Sequence, residues 1–123
     1  MKTKTKPTKA GPKHGDLRIW WVPQIPMKSF TVPVADLAEA SLLLDVLADY
    51  DAFQFENNVK PDYSNAGGLN VYNAFDEKPD WYDWYSDDGE DFQDLHRNQG
   101  TEKLRQLRDA GELPRWEDAG RSE

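Results

Sequence analysis

The chain has 123 residues, no cysteine and a formal net charge of −8, with 37% hydrophobic residues. That length holds one domain with one modest core, and the low apolar content predicts that part of the chain stays outside it. The missing cysteines exclude disulfides, thiolate catalysis and cysteine-ligated metal centres, and no apolar run approaches the roughly 18 residues of a spanning helix, so the sequence predicts a cytoplasmic protein.

Residues 1–16 (MKTKTKPTKAGPKHGD) carry five lysines and no core-forming side chain beyond Met1, and are expected to form a disordered basic tail. Residues 17–95 are read as an acidic α+β domain, and residues 96–123 as a C-terminal helix and tail in which six acids balance six bases. Between residues 35 and 95, sixteen acids face only Lys60 and Lys78, a net charge of −14. Such a body is repelled by nucleic acid and anionic membranes, so its expected partner is a basic protein surface. The lysine tail alone could touch phosphates.

Leu17–Val22 (LRIWWV) predicts a strand, rich in aromatic and β-branched residues and stopped by Pro23 and Pro26. Residues 30–34 (FTVPV) alternate Phe30, Val32 and Val34 on one face. Pro33 cannot donate to a ladder, which predicts an edge strand. Asp36 and Glu39 start the clearest helix, in a pattern close to a capping box. Leu37, Ala40, Leu43, Leu44, Leu47 and Tyr50 recur at threes and fours, with Asp45, Asp49 and Asp51 mostly opposite, predicting about four turns packed on a sheet. Residues 52–59 read as a short strand or as a continuation of that helix.

Residues 60–68 (KPDYSNAGG) read as a turn, with Gly67 and Gly68 supplying backbone freedom. Leu69, Val71 and Phe75 mark a further strand, and residues 81–85 another, joined through residues 76–79 as a hairpin. Asp88-Gly89 predicts a turn. Residues 101–110 predict a last helix, capped by Thr101, ended by Gly111 and Pro114, and docked loosely because only Leu104 and Leu107 line it. The fold class is therefore α+β: a small antiparallel sheet with one amphipathic helix on one face, plus a light C-terminal helix.

The chemistry concentrates in residues 76–94 (DEKPDWYDWYSDDGEDFQD), where nine carboxylates surround five aromatics and Lys78 is the one cation. A calcium loop anchored on Gly89 fails, since Trp84 and Leu95 fall where carboxylates belong. Nothing marks one carboxylate as buried, and His14 and His96 stand in no nucleophile motif. No enzymatic activity, cofactor or metal is expected. Aromatics set among acids also argue against direct nucleic-acid binding by this domain.

What remains is a contact surface. Asp76, Glu77, Asp80, Trp81, Asp83, Trp84, Asp87, Asp88, Glu90 and Asp91 are the expected partner-binding residues, the acids for steering and the tryptophans as anchors. Because a strand sets alternate side chains about 6–7 Å apart, these charges could also imitate DNA phosphates. Two alternatives stand beside this. One is a small-ligand sponge walled by Trp20, Trp21, Tyr63, Trp81 and Trp84; a concave aromatic cavity would favour it. The other is a structural virion component, expected as a symmetric oligomer in particles.

Three strings carry a family resemblance: RIWWVPQIPMKSFTVPV, LLLDVLADYDAFQFENNVKPDYSNAGGLNVY and WYDWYSDDGEDF. Over about residues 17–92 the chain resembles small bacteriophage proteins labelled superinfection exclusion proteins. The resemblance implies a phage accessory protein that blocks a second phage; joined to the residue reading above, the expectation is a non-enzymatic protein of the host cytoplasm that excludes other phages or interferes with host defence. Its expected partner is then a host nucleic-acid-binding or defence protein. The resemblance leaves out the lysine tail and the residues after Gln93, and carries over no functional residue.

Overall fold

The structure is a computed structural model and describes residues 11–59 and 64–117. Most of the predicted basic tail, and Tyr63, lie outside the described residues. Four strands, β1 (Leu17–Val22), β2 (Phe30–Val34), β3 (Ala66–Asn73) and β4 (Asp80–Asp83), form one antiparallel sheet in the order β2-β1-β3-β4. Helices α1 (Leu37–Glu56) and α2 (Phe92–Asp109) complete an α+β fold.

Strand alternation explains the core. Ile19 stands opposite Val32 and Leu69, and Trp21 opposite Phe30 and Gly67. Ile19, Trp21, Leu69 and Val71 are buried with Leu37, Ala40 and Leu44 of α1 and Phe92, Leu95 and Leu104 of α2. Both helices therefore cover the same side of the sheet. Arg18, Trp20, Asn70 and Tyr72 alternate to the opposite side.

The expected turn at Gly67-Gly68 is corrected: both glycines lie inside β3. Their lack of a side chain serves packing. A methyl group on Gly67 would stand 2.5 Å from the Trp21 ring, and one on Gly68 2.7 Å from the Trp20 indole nitrogen. Gly67→Ala is expected to lower stability by about 1–3 kcal/mol, as overpacking does, read from urea denaturation.

The first helix follows its predicted start. Asp36 accepts a hydrogen bond from the Glu39 amide at 2.8 Å, and Glu39 reaches back to the Ala35 amide. It then runs through residues 52–56, the region read as strand or helix, to a cap at Asn57 whose side chain donates to the Phe53 carbonyl at 2.8 Å. Two positions of the expected stripe are corrected. Tyr50 is exposed, and Asp51, placed on the solvent side, is buried and accepts from the Asn65 amide nitrogen.

The C-terminal helix is also corrected. It starts at Phe92, with Asp91 as its cap accepting from the Asp94 amide at 2.8 Å. Residues from Thr101 onward resume the helix after a break at Gly100 (φ 81°, ψ 162°). Phe92, Leu95 and Leu104 are fully or almost fully buried, so α2 is part of the core, and the division drawn at residue 95 falls within it. The end of the predicted tail is tied down as well. Gly15 donates to the Tyr72 carbonyl and Asp16 accepts from the Tyr72 amide, each at 2.9 Å.

Candidate functional site

The acidic aromatic segment begins in the β3–β4 hairpin, which pairs Asn70 with Asp83, Tyr72 with Trp81 and Asn73 with Asp80. The turn between the strands positions Asp76, whose carboxylate accepts from the Glu77 amide at 2.9 Å and from the Tyr82 hydroxyl. On the open side of the sheet Trp81 meets Tyr72 edge-on, centroids 5.3 Å apart, while the Arg18 guanidinium carbon lies 4.1 Å above the Trp81 ring. Arg18 also donates to the Asn70 side chain at 3.2 Å, and Asn70 in turn to Asp83 at 3.4 Å. Desolvation in this stack pulls the Arg18 guanidinium below its ordinary pKa, against the opposing pull of Asp80.

Trp84 goes the other way. Its amide donates to the Leu69 carbonyl at 3.0 Å, its indole is 3% exposed, and it meets Phe92 edge-on. The expectation that Trp84 anchors a partner is corrected: it is a core residue. Trp81 remains half-exposed, with one face already taken by Arg18.

Beyond Trp84 the segment closes on itself and on the C-terminus. Ser86 and Glu90 bracket the tight turn at Gly89 (φ 89°), as the Asp88-Gly89 pair predicts. Asp87 donates to the Arg115 carbonyl at 2.8 Å, and Glu117 to the Tyr85 carbonyl at 3.0 Å, so residues 115–117 lie alongside residues 85–87 like a short extra strand. That pairing delivers Trp116 and Glu117 to the acidic segment. His14 stacks on Phe75, centroids 3.8 Å apart, and lies 5.0 Å from Trp116.

The result is an open cleft of about 390 Å³ lined by Asn73, Asp76, Tyr82, Asp83, Tyr85, Trp116 and Glu117. Three acidic and three aromatic residues line it, and among the described residues its lining holds no lysine or arginine. Aromatic faces attract cations, and carboxylates add charge and directional acceptors. Such a lining suits a guanidinium or ammonium group.

Of the ten expected contact residues, Asp76 and Asp83 line this cleft. Glu77 and Asp80 are exposed beside it on the hairpin, and Asp87 and Asp88 are exposed on the following turn. Glu90 lies 3.4 Å from the Asn98 side chain and Asp91 caps α2. The charges are thus divided among a turn, a four-residue strand and a helix cap. The proposed small-ligand walls do not converge either. Trp21 and Trp84 are buried in the core, Trp20 and Trp81 belong to the opposite side of the sheet, and Tyr63 lies outside the described residues. Among the described residues no group of three or more His, Asp or Glu side chains is placed to hold a metal ion.

His96, which stands in no nucleophile motif, joins the two helices. Its Nδ1 lies 2.5 Å from Ser41 Oγ and its Nε2 3.3 Å from Asp45 Oδ1. Thr101 Oγ1 donates to Asp45 Oδ2 at 2.6 Å and lies 2.7 Å from Ser41 Oγ, closing a ring of four side chains between α1 and α2. Serine, histidine and aspartate meet here, but Ser41 is fully buried and held from two sides, as a structural joint requires and an attacking nucleophile does not. Ser41→Ala is expected to cost about 1–3 kcal/mol, because it removes a buried hydroxyl from its part-buried partners His96 and Thr101, measured as a fall in thermal midpoint.

Residues 16–118 match the family described as Superinfection exclusion gene product 17. The chain is 46% identical over 80 residues to the superinfection exclusion protein of Salmonella phage P22, across 58% of this chain and 78% of that protein. No solved structure matches it. The family match extends well past residue 92, where the sequence strings end, and takes in all of α2 together with Trp116 and Glu117 of the cleft. The chain belongs to the Superinfection exclusion gene product 17 family.

Proposed function

We propose that this protein excludes a superinfecting phage by docking onto a basic protein surface, with no chemical step, in the cytoplasm of the host. The cleft between the β3–β4 hairpin and the C-terminal segment receives a lysine or arginine side chain of the partner. One observation carries this reading: Asp76, Asp83 and Glu117 share a cleft with Tyr82, Tyr85 and Trp116, and among the described residues no cation lines it. The exposed acids around it, Glu77, Asp80, Asp87 and Asp88, extend the negative field that steers a basic partner in. Among the described residues no helix is long and apolar enough to cross a membrane.

Affinity purification from cells carrying the phage, with mass spectrometry of what is retained, tests it. A partner with a basic face should be recovered at about 0.05 M salt and lost near 1 M, where the Debye length falls to about 3 Å. A partner retained equally at both, or retained by a variant with Asp76, Asp83 and Glu117 neutralised, would remove the cleft as the site.

A further inference from the structure

The solvent face of α1 is built the wrong way round for a helix that only covers a sheet. Its buried side includes the carboxylate of Asp51, while its outer side carries Leu42, Val46, Tyr50 and Phe53, which are 37%, 52%, 58% and 59% exposed. At 100° per residue these four lie within about 80° of one another, directly opposite the face centred on Leu37 and Leu44. A helix apolar on both sides has two partners, and the sheet and α2 account for one.

The charges on α1 say which kind of partner covers the second side. The helix holds Glu39, Asp45, Asp49, Asp51 and Glu56 and no lysine, arginine or histidine. Basic groups of α2 reach its acids at the amino-terminal end, where Arg108 lies 4.0 Å from Asp36, and at Asp45, 3.3 Å from His96 Nε2, both away from the outer stripe. A second copy pairing α1 against α1 would set Glu39, Asp49 and Glu56 against their own copies, and an anionic membrane would meet the same repulsion. We propose that the Leu42–Val46–Tyr50–Phe53 stripe is a second docking surface, and that its occupant is a basic amphipathic helix of a partner protein. The partner's apolar positions cover the stripe and its lysines or arginines flank Glu39, Asp49 and Glu56, in the helix-on-groove manner. This surface lies on α1, outside the acidic cleft, and stands whether or not the cleft binds anything.

The test titrates the full-length protein with two synthetic 18-residue amphipathic helices sharing one leucine stripe, one with lysine and one with glutamate at the polar positions. The lysine peptide should bind and the glutamate peptide should not. The double substitution Val46→Ser and Phe53→Ser should weaken binding at least about tenfold, as loss of two apolar anchors does, and so should Asp49→Lys. Both variants alter exposed positions, and an unchanged thermal midpoint checks the fold. Neutralising Asp76, Asp83 and Glu117 should leave this binding within about twofold of wild type, which separates the stripe from the cleft. Binding of the lysine peptide that ignores both stripe variants overturns the proposal. So does a wild-type dimer in sedimentation that Val46→Ser and Phe53→Ser dissolves, or stripe-dependent binding to phosphatidylcholine–phosphatidylglycerol vesicles.

Discussion

Phe92→Ala is expected to lower the stability of the protein by about 3–5 kcal/mol, the range for deleting a buried aromatic ring. Phe92 is fully buried at the first turn of α2, with Trp84 edge-on at 6.3 Å and His96 stacked at 5.9 Å. Removing it leaves a void where the acidic loop, the helix start and the helix-to-helix ring meet. Against a total stability of about 5–15 kcal/mol, such a loss is a third or more of what holds the chain folded. Tyr85→Ala, on a ring 39% exposed, is expected to cost less than about 1 kcal/mol. Urea denaturation of the two variants checks the contrast. Equal midpoints would mean that residues after 91 flank the domain loosely after all.

That contrast also shows where the sequence was readable. The alternation in LRIWWV and FTVPV, the Asp36 cap and the turns at residues 76–79 and 88–89 are local signals, and each matches an element of the fold. Trp81 and Trp84 are three residues apart, so an extended chain sends them to opposite sides. Which one reaches the core depends on the pairing with β3, and local sequence does not contain it. Gly67 and Gly68 look like turn residues until Trp21 and Trp20 are set across from them on β1. The start of α2 was hidden because Phe92 and Leu95 are its only large apolar residues before Gly100 interrupts the pattern. For the cleft, Asp76 and Asp83 were visible in the acidic run. Trp116 and Glu117 were not, since they arrive through backbone pairing with residues 85–87 from about thirty positions away.

The largest functional effect is expected from neutralising the cleft. With Asp76→Asn, Asp83→Asn and Glu117→Gln combined, the affinity for the basic partner should fall about 10- to 100-fold. Partly exposed ion pairs contribute about 0.2–1 kcal/mol each, so three of them contribute up to about 3 kcal/mol, and each 1.4 kcal/mol is tenfold in affinity. Most of the charge effect should appear in the association rate and disappear in high salt, because steering depends on the summed field. Trp116→Ala should instead raise the dissociation rate, since it removes apolar contact while leaving the field in place. The triple variant should fold as well as the wild type, because Asp83 and Glu117 are exposed, Asp76 is only partly covered, and the substitutions relieve repulsion among neighbouring acids. Surface plasmon resonance at two salt concentrations, with thermal melting alongside, separates these outcomes.

The central claim is that exclusion runs through the acidic aromatic cleft. Its most direct test is the plating efficiency of a superinfecting phage on host cells producing matched amounts of three proteins. These are the wild type, the cleft variant, and a charge-matched control with Glu102→Gln, Asp109→Asn and Glu112→Gln on and just after α2. The phage should plate on cells with the cleft variant as it does on cells lacking the protein, while the control should exclude it as the wild type does. Full exclusion by the cleft variant would contradict the account.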